Sequence, residues 1–185
     1  GSRQAEVRHN LPVLLETARR LVAGHPGLGV LLGLAPTLDG KAVEGVVAAS
    51  GVPATVVQGR SYEVMRAADL LLAVSGTVTL EAAILGTPMI ITYRVGALTW
   101  YLARLLVRVR FIGLPNLVAD AGIVPELIQY EATPERLAGT AAEILDSPER
   151  LARMRAALGE VRARLGRPGA AERAAREVLA LLPTS

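Results

Sequence analysis

Val7, Leu11, Leu14, Leu15, Ala18, Leu21 and Val22 recur three and four positions apart, with Arg8, Glu16, Arg19 and Arg20 on the opposite side. That spacing predicts an amphipathic helix over 4–22, stopped by Gly24 and Pro26. Short apolar runs at 30–34, 54–57, 70–74 and 89–93 are bounded by Gly, Pro or polar residues and read as buried strands. Between them the pattern predicts helices from Asp39, as cap, to about 49, then over 62–68, and over 78–85 with Gly86 as the stop. A further helix is predicted over 98–109, then a Gly- and Pro-rich loop over 113–125. Charged helices over 134–145 and 148–165, a break at 166–169, and a last helix reaching Leu182 complete the chain. Strands alternate with helices, and the strands are continuous apolar runs. Both features predict one α/β domain, a Rossmann-like doubly wound parallel sheet with helices on both faces. Such a sheet places ligands beyond the carboxyl ends of its strands. Three loops are then of interest: 58–61, 75–77 and 94–97.

Composition narrows the field. At 185 residues the chain suits one domain with a full core. Hydrophobic residues make up 51% but aromatics only 3%, so that core must be aliphatic. No apolar run approaches ~18 residues, and the most apolar stretch, 97–109, is broken by Arg104 and Arg108. The absence of cysteine removes disulfides, thiolate metal sites and cysteine nucleophiles, and fits a reducing cytosol. The amino end lacks the charged-then-apolar order of an export signal. Net charge is +3, carried by arginines with Lys41 the sole lysine. Without aromatics among the basic residues, nucleic acid is not an expected partner. His9 and His25 lie on the first helix and its exit, where the sequence places no carboxylate or metal-ligand spacing beside them, and read as surface histidines. Asp39, Asp69, Asp120 and Asp146 are scattered, so no metal or other cofactor is expected.

Candidate chemistry concentrates in Ala73-Val74-Ser75-Gly76-Thr77-Val78-Thr79-Leu80-Glu81, where a strand ends, small residues turn and a helix begins. The first turn of a helix presents unpaired N–H groups and the positive end of its dipole, a setting suited to phosphate. Gly76 lets an anion approach the backbone, and the Ser75 and Thr77 hydroxyls can donate to it. Glu81, one turn further, is placed to accept both hydroxyls of a ribose. On spacing alone a second reading stays open, in which Ser75 or Thr77 caps the helix and Glu81 complements its dipole. Gly27, Gly29 and Gly33 do not form a dinucleotide fingerprint, because they precede a strand. Ser75 is no hydrolase elbow, since Ala73 and Thr77 stand where glycines are required.

The string Ser75-Gly76-Thr77-Val78-Thr79-Leu80-Glu81-Ala82-Ala83, then Gly86-Thr87-Pro88-Met89 and Tyr93-Arg94, resembles the lipid-A-disaccharide synthases. So do Gly113-Leu114-Pro115-Asn116-Leu117-Val118, Val124-Pro125-Glu126-Leu127-Ile128-Gln129 and the opening Gly1-Ser2-Arg3. The resemblance covers the whole chain and implies the C-terminal, donor-binding half of a GT-B glycosyltransferase, with the family's preceding strand and acceptor domain outside this sequence. It implies a reaction that joins UDP-2,3-diacylglucosamine to 2,3-diacylglucosamine 1-phosphate and releases UDP. It further implies that Ser75, Gly76 and Thr77 contact diphosphate, Glu81 the ribose, and Arg3 supplies a cation, with Asn116, Glu126 and Gln129 near the donor. The last three residues can equally build loops by satisfying backbone groups.

Within the predicted helix over 98–109, Trp100, Arg104 and Arg108 form a stripe at i, i+4 spacing. An aromatic with two arginines suits an anionic headgroup surface, and fits a solvated face with a cation–π pair as well. The expected setting is therefore the cytoplasm, at the inner face of a membrane. A homodimer is compatible with the sequence. Rival readings are a UDP-sugar epimerase, a peptidoglycan-type transferase half, or a noncatalytic nucleotide- or lipid-binding domain. In every enzymatic reading the fragment is expected to be inactive alone.

Overall fold

The computed structural model of the chain describes residues 4–96, 100, 110–166 and 169–180. Its first part alternates helix and strand: α1 (Gln4–Gly24), β1 (Val30–Leu34), α2 (Gly40–Ser50), β2 (Ala54–Gln58), α3 (Ser61–Ala67), β3 (Leu71–Val74), α4 (Thr77–Leu85) and β4 (Met89–Tyr93). Then follow α5 (Leu114–Ala119), β5 (Glu126–Ile128), α6 (Pro134–Leu145), α7 (Pro148–Arg164) and α8 (Ala170–Ala180). Local chemistry sets these boundaries. Asp39, Thr133 and Ser147 each accept a bond from an amide in the first turn of α2, α6 and α7 respectively. Gly51 and Gly86 end α2 and α4 in the left-handed conformation, with φ of 68° and 75°.

All strand pairs are parallel. β1 and β2 form one ladder, from Val30 opposite Ala54 to Leu34 opposite Gln58. β3, β4 and β5 form another, with Val74 opposite Thr92 and Thr92 opposite Leu127. The expected single sheet is thus present as two parallel ladders, because no described strand hydrogen-bonds to both β1 and β3. Helices flank them: α1 packs on α2 and α6, while α4 packs on α3, α5 and α7.

Each ladder has its own core. Met89, Ile90 and Ile91 of β4 are fully buried together with Ala82, Ala83, Leu137, Leu158 and Val161. A second cluster joins Leu11, Leu15 and Ala18 of α1 to Leu34, Val43, Val47 and Val52. Burying one such aliphatic side chain contributes about 1.5–3 kcal/mol. The core is aliphatic, as the composition requires.

Two elements depart from the sequence pattern. The Gly- and Pro-rich segment contains α5, which opens after extended Gly113, carries Pro115 in its first turn, and closes on left-handed Asp120. β5 was not visible as a strand, being three residues long and opening on Glu126. Most of the predicted helix over 98–109 lies outside the described residues.

Candidate functional site

The strand registers align a row of chain ends. Val74, Thr92 and Leu127 are level, so the next residues, Ser75, Tyr93 and Ile128, and then Gly76, Arg94 and Gln129, form the carboxyl edge of the larger ladder. The Ser75 amide donates to Thr92 O at 2.9 Å, which continues the ladder one residue into the turn. Thr92 itself is 1% exposed, and its hydroxyl has no hydrogen-bond partner among the described residues.

From this edge α4 begins. Gly76 has φ 156° and ψ −171°, a region open in practice only to glycine, and a β-carbon there would meet no atom within 4 Å. Gly76 and Thr77 are exposed and Ser75 is half-buried. No side chain caps the helix, so the capping role open to Ser75 and Thr77 on sequence grounds is not realised. The Thr79 hydroxyl, buried, instead donates back to Gly76 O at 2.7 Å and pins the turn. The result is a helix start with an open glycine in front of it, able to receive an oxyanion. Glu81 lies four residues after Thr77, about one turn or ~6 Å along the axis. It is half-buried and has no hydrogen bond or ion pair with another described residue.

The neighbouring loop after β4 is held from two sides. Asn10 of α1, 2% exposed, accepts from the Arg94 amide at 3.0 Å and donates to Arg94 O at 3.3 Å. Gln129 does the same for Val95, accepting from its amide at 3.1 Å and donating to its carbonyl at 3.0 Å. Gln129 sits at φ 52° to make this reach. The sequence did not single out Asn10; its only signal was a polar residue inside the apolar stripe of α1.

Asn116 and Glu126 form a third lock. The Asn116 side chain, 1% exposed, accepts from the amides of Ile123 and Val124 and donates to Val124 O and a Glu126 carboxylate oxygen. That carboxylate also accepts from the Ile112 and Gly113 amides, at 2.9 and 3.0 Å. A β-carbon on Gly113 would meet the end of the Ile91 side chain, which would have to shift to admit it. These residues lie on α5, packed beside α4, and on β5, with Glu126 level with Ile91 rather than at the carboxyl edge. The structure therefore spends their bonding capacity on the 112–124 loop.

Arg3, Arg104 and Arg108 lie outside the described residues. Trp100 is half-buried; its amide donates to Gly96 O at 3.0 Å, and its buried indole nitrogen has no partner among the described residues. His25 is not without a carboxylate: Asp146 lies 3.1 Å from its Nε2, brought there by folding across 121 residues. Among the described residues no group of three acidic or histidine side chains could hold a metal ion.

Parallel ladders under two sets of helices, with an open glycine turn at their carboxyl edge, define a Rossmann-like α/β domain of the kind that forms half of a GT-B fold. The family model for lipid-A-disaccharide synthetase matches residues 1–180, and the chain belongs to that family. It is 43% identical over 183 residues to the lipid-A-disaccharide synthase of Myxococcus xanthus strain DK1622, covering 99% of this chain and 48% of that enzyme. The same-named enzyme of Geobacter sulfurreducens is 42% identical over 98% of this chain and 47% of its own length. That of Anaeromyxobacter dehalogenans strain 2CP-C is 45% identical, over 98% and 48%. The chain spans about half the length of the curated relatives it matches.

Proposed function

We propose that this chain is the donor-binding half of a hexosyltransferase that transfers a diacylglucosamine from UDP to a diacylglucosamine 1-phosphate and releases UDP. The observation that carries the reading is the uncapped start of α4 behind Gly76, on a chain of this family. In this reading the UDP diphosphate lies against Ser75, Gly76 and Thr77, its ribose hydroxyls donate to Glu81, and Arg3 adds a cation. Phosphate charge is then met by backbone N–H groups and arginine without a metal. Asn116, Glu126 and Gln129 act by holding the loops that border the donor. The acceptor half belongs to the longer protein. Lipid substrates place the enzyme on the cytoplasmic face of a membrane, with the stripe of Trp100, Arg104 and Arg108 toward anionic headgroups. No helix among the described residues is long and apolar enough to cross a membrane.

Calorimetric titration with UDP and with uridine tests the reading. Two charge-assisted contacts to diphosphate contribute about 3 kcal/mol or more, so uridine should bind at least ~100-fold more weakly than UDP. Equal affinity for the two, or no UDP binding at millimolar concentration by the longer protein, overturns the assignment.

A further inference from the structure

Arg94 stands apart from the other described arginines: it is the only one of them that is not exposed. Elsewhere arginine is spent in two main ways. Arg136 meets Glu131 and Arg150 meets Glu143 in surface ion pairs, and Arg19 and Arg20 share Glu16. Arg164 closes the end of α5 by donating to Val118 O and Ala119 O. The Arg94 guanidinium does neither. It is half-buried and forms no hydrogen bond or ion pair with a described residue. A cation drawn part-way out of water without a counter-charge is costly, and an anion that meets it offsets the cost.

Its place in the fold says which anion. Register sets Val74 opposite Thr92, so Arg94 is level with Gly76 at the carboxyl edge, one strand spacing or ~4.8 Å away. Gly76 is the open glycine before the uncapped start of α4. An anion resting on that helix start therefore comes within reach of an arginine rooted at position 94. Carboxylates on the adjoining elements do not compete for it. Glu126 is taken up by Asn116 and by the Ile112 and Gly113 amides, and Glu81 forms no ion pair with a described residue.

The backbone beneath the side chain is fixed. Asn10 bonds both the N–H and the C=O of Arg94, and Gln129 bonds both those of Val95, so four hydrogen bonds hold two consecutive residues. They follow a strand in which Met89, Ile90 and Ile91 are fully buried. A side chain mounted on so rigid a base has less freedom to lose when it closes on a ligand, which is how a preorganised contact gains affinity. Both clamps bond backbone groups alone, so neither requires that position 94 be an arginine.

We propose that Arg94 binds the diphosphate of the nucleotide, meeting it from the β4 side while the start of α4 holds it from the β3 side, an inference that rests on the donor-binding reading above. A guanidinium presents paired N–H donors that match two phosphate oxygens, and such charge-assisted bonds are about twice as strong as neutral ones. Arg94 is thereby a residue that recognises phosphate, and neither uracil nor ribose.

Titration calorimetry on the longer protein without acceptor tests this, with UDP and uridine as probes. Arg94→Gln should weaken UDP about tenfold or more and leave uridine within about twofold, since uridine has no phosphate to lose. Arg94→Lys, which keeps the charge without the fork, should recover part of the loss. Thermal unfolding of both variants without ligand should match the unaltered protein, because the side chain has no internal bond to lose. A fall in the melting temperature of both assigns the arginine to stability and overturns the proposal. Unchanged UDP affinity in Arg94→Gln also overturns it, and leaves the reading of α4 in place if the unaltered protein prefers UDP to uridine. Equal losses for UDP and uridine overturn it too, since they mark a change in the shape of the site. An unaltered protein that binds UDP no better than uridine overturns the donor reading, and the role of Arg94 falls with it.

Discussion

Polar residues behind the carboxyl edge differ in how much bonding capacity folding leaves them. Asn10, Asn116 and Gln129 are buried and bonded to backbone groups, whereas Glu81 is bonded to no other described residue. A group without an internal partner is free to recognise a ligand, and its loss costs affinity more than stability. A ribose diol donating to a carboxylate contributes about 1.5–3 kcal/mol, so Glu81→Gln should weaken UDP about tenfold or more. The same change should weaken 2′,3′-dideoxy-UDP far less, since that ligand has no diol, and should leave urea unfolding within a few tenths of a kcal/mol. Titration of both ligands against both proteins measures the coupling; equal affinity of the unaltered protein for the two nucleotides would remove Glu81 from ribose recognition. Sequence alone could name Asn116, Glu126 and Gln129 only through family resemblance, and could not separate a ligand contact from a loop lock. Asn10 escaped because its partner is 84 residues away.

Secondary structure was legible where pattern and punctuation agree. β1 and β4 fall where their apolar runs do, and α6 and α7 start at the Thr-Pro and Ser-Pro caps that announce them. α5 and β5 were not legible, since six and three residues are too few to show a period. The start of α4 was legible as a turn but ambiguous as chemistry, because Ser75 and Thr77 are good capping residues that do not cap here. Its conformation yields a prediction about the element as a unit. Gly76 occupies a region that costs other residues on the order of 1–3 kcal/mol. Yet its position is open, so Gly76→Ala would strain the backbone without a clash. The protein should fold with a loss of that size in urea denaturation, and UDP affinity should fall as the turn shifts. A variant that keeps full stability and UDP affinity would show that the turn tolerates a side chain and that its glycine is not what admits phosphate.

The two ladders each have a core, and α1 spans both: Leu21 packs with the β4 cluster while Leu11, Leu15 and Ala18 pack with β1 and α2. The alternation of strands and helices made the α/β class legible, but a break in a sheet leaves no mark in a sequence where the strands beside it, β1 and β3, both look interior. The same organisation bears on activity. In the proposed reading the carboxyl edge offers a place for an anion and a sugar hydroxyl pair, which are binding elements. Transfer also needs an acceptor hydroxyl held in line with the donor, near a group that takes its proton. Holding both reactants together is what converts a bimolecular encounter into a fast step, with effective molarities of ~10⁵ M or more. Half the length of the matched relatives lies outside this chain, and the proposed acceptor site lies there too. The isolated 185-residue chain should therefore bind UDP yet form no disaccharide from labelled donor and acceptor above the rate without protein. The longer protein should turn over, and Glu81→Gln in it should lower kcat/KM about tenfold. Disaccharide formed by the isolated chain would place the base and the acceptor site within these residues, and would sink the division of labour between two halves.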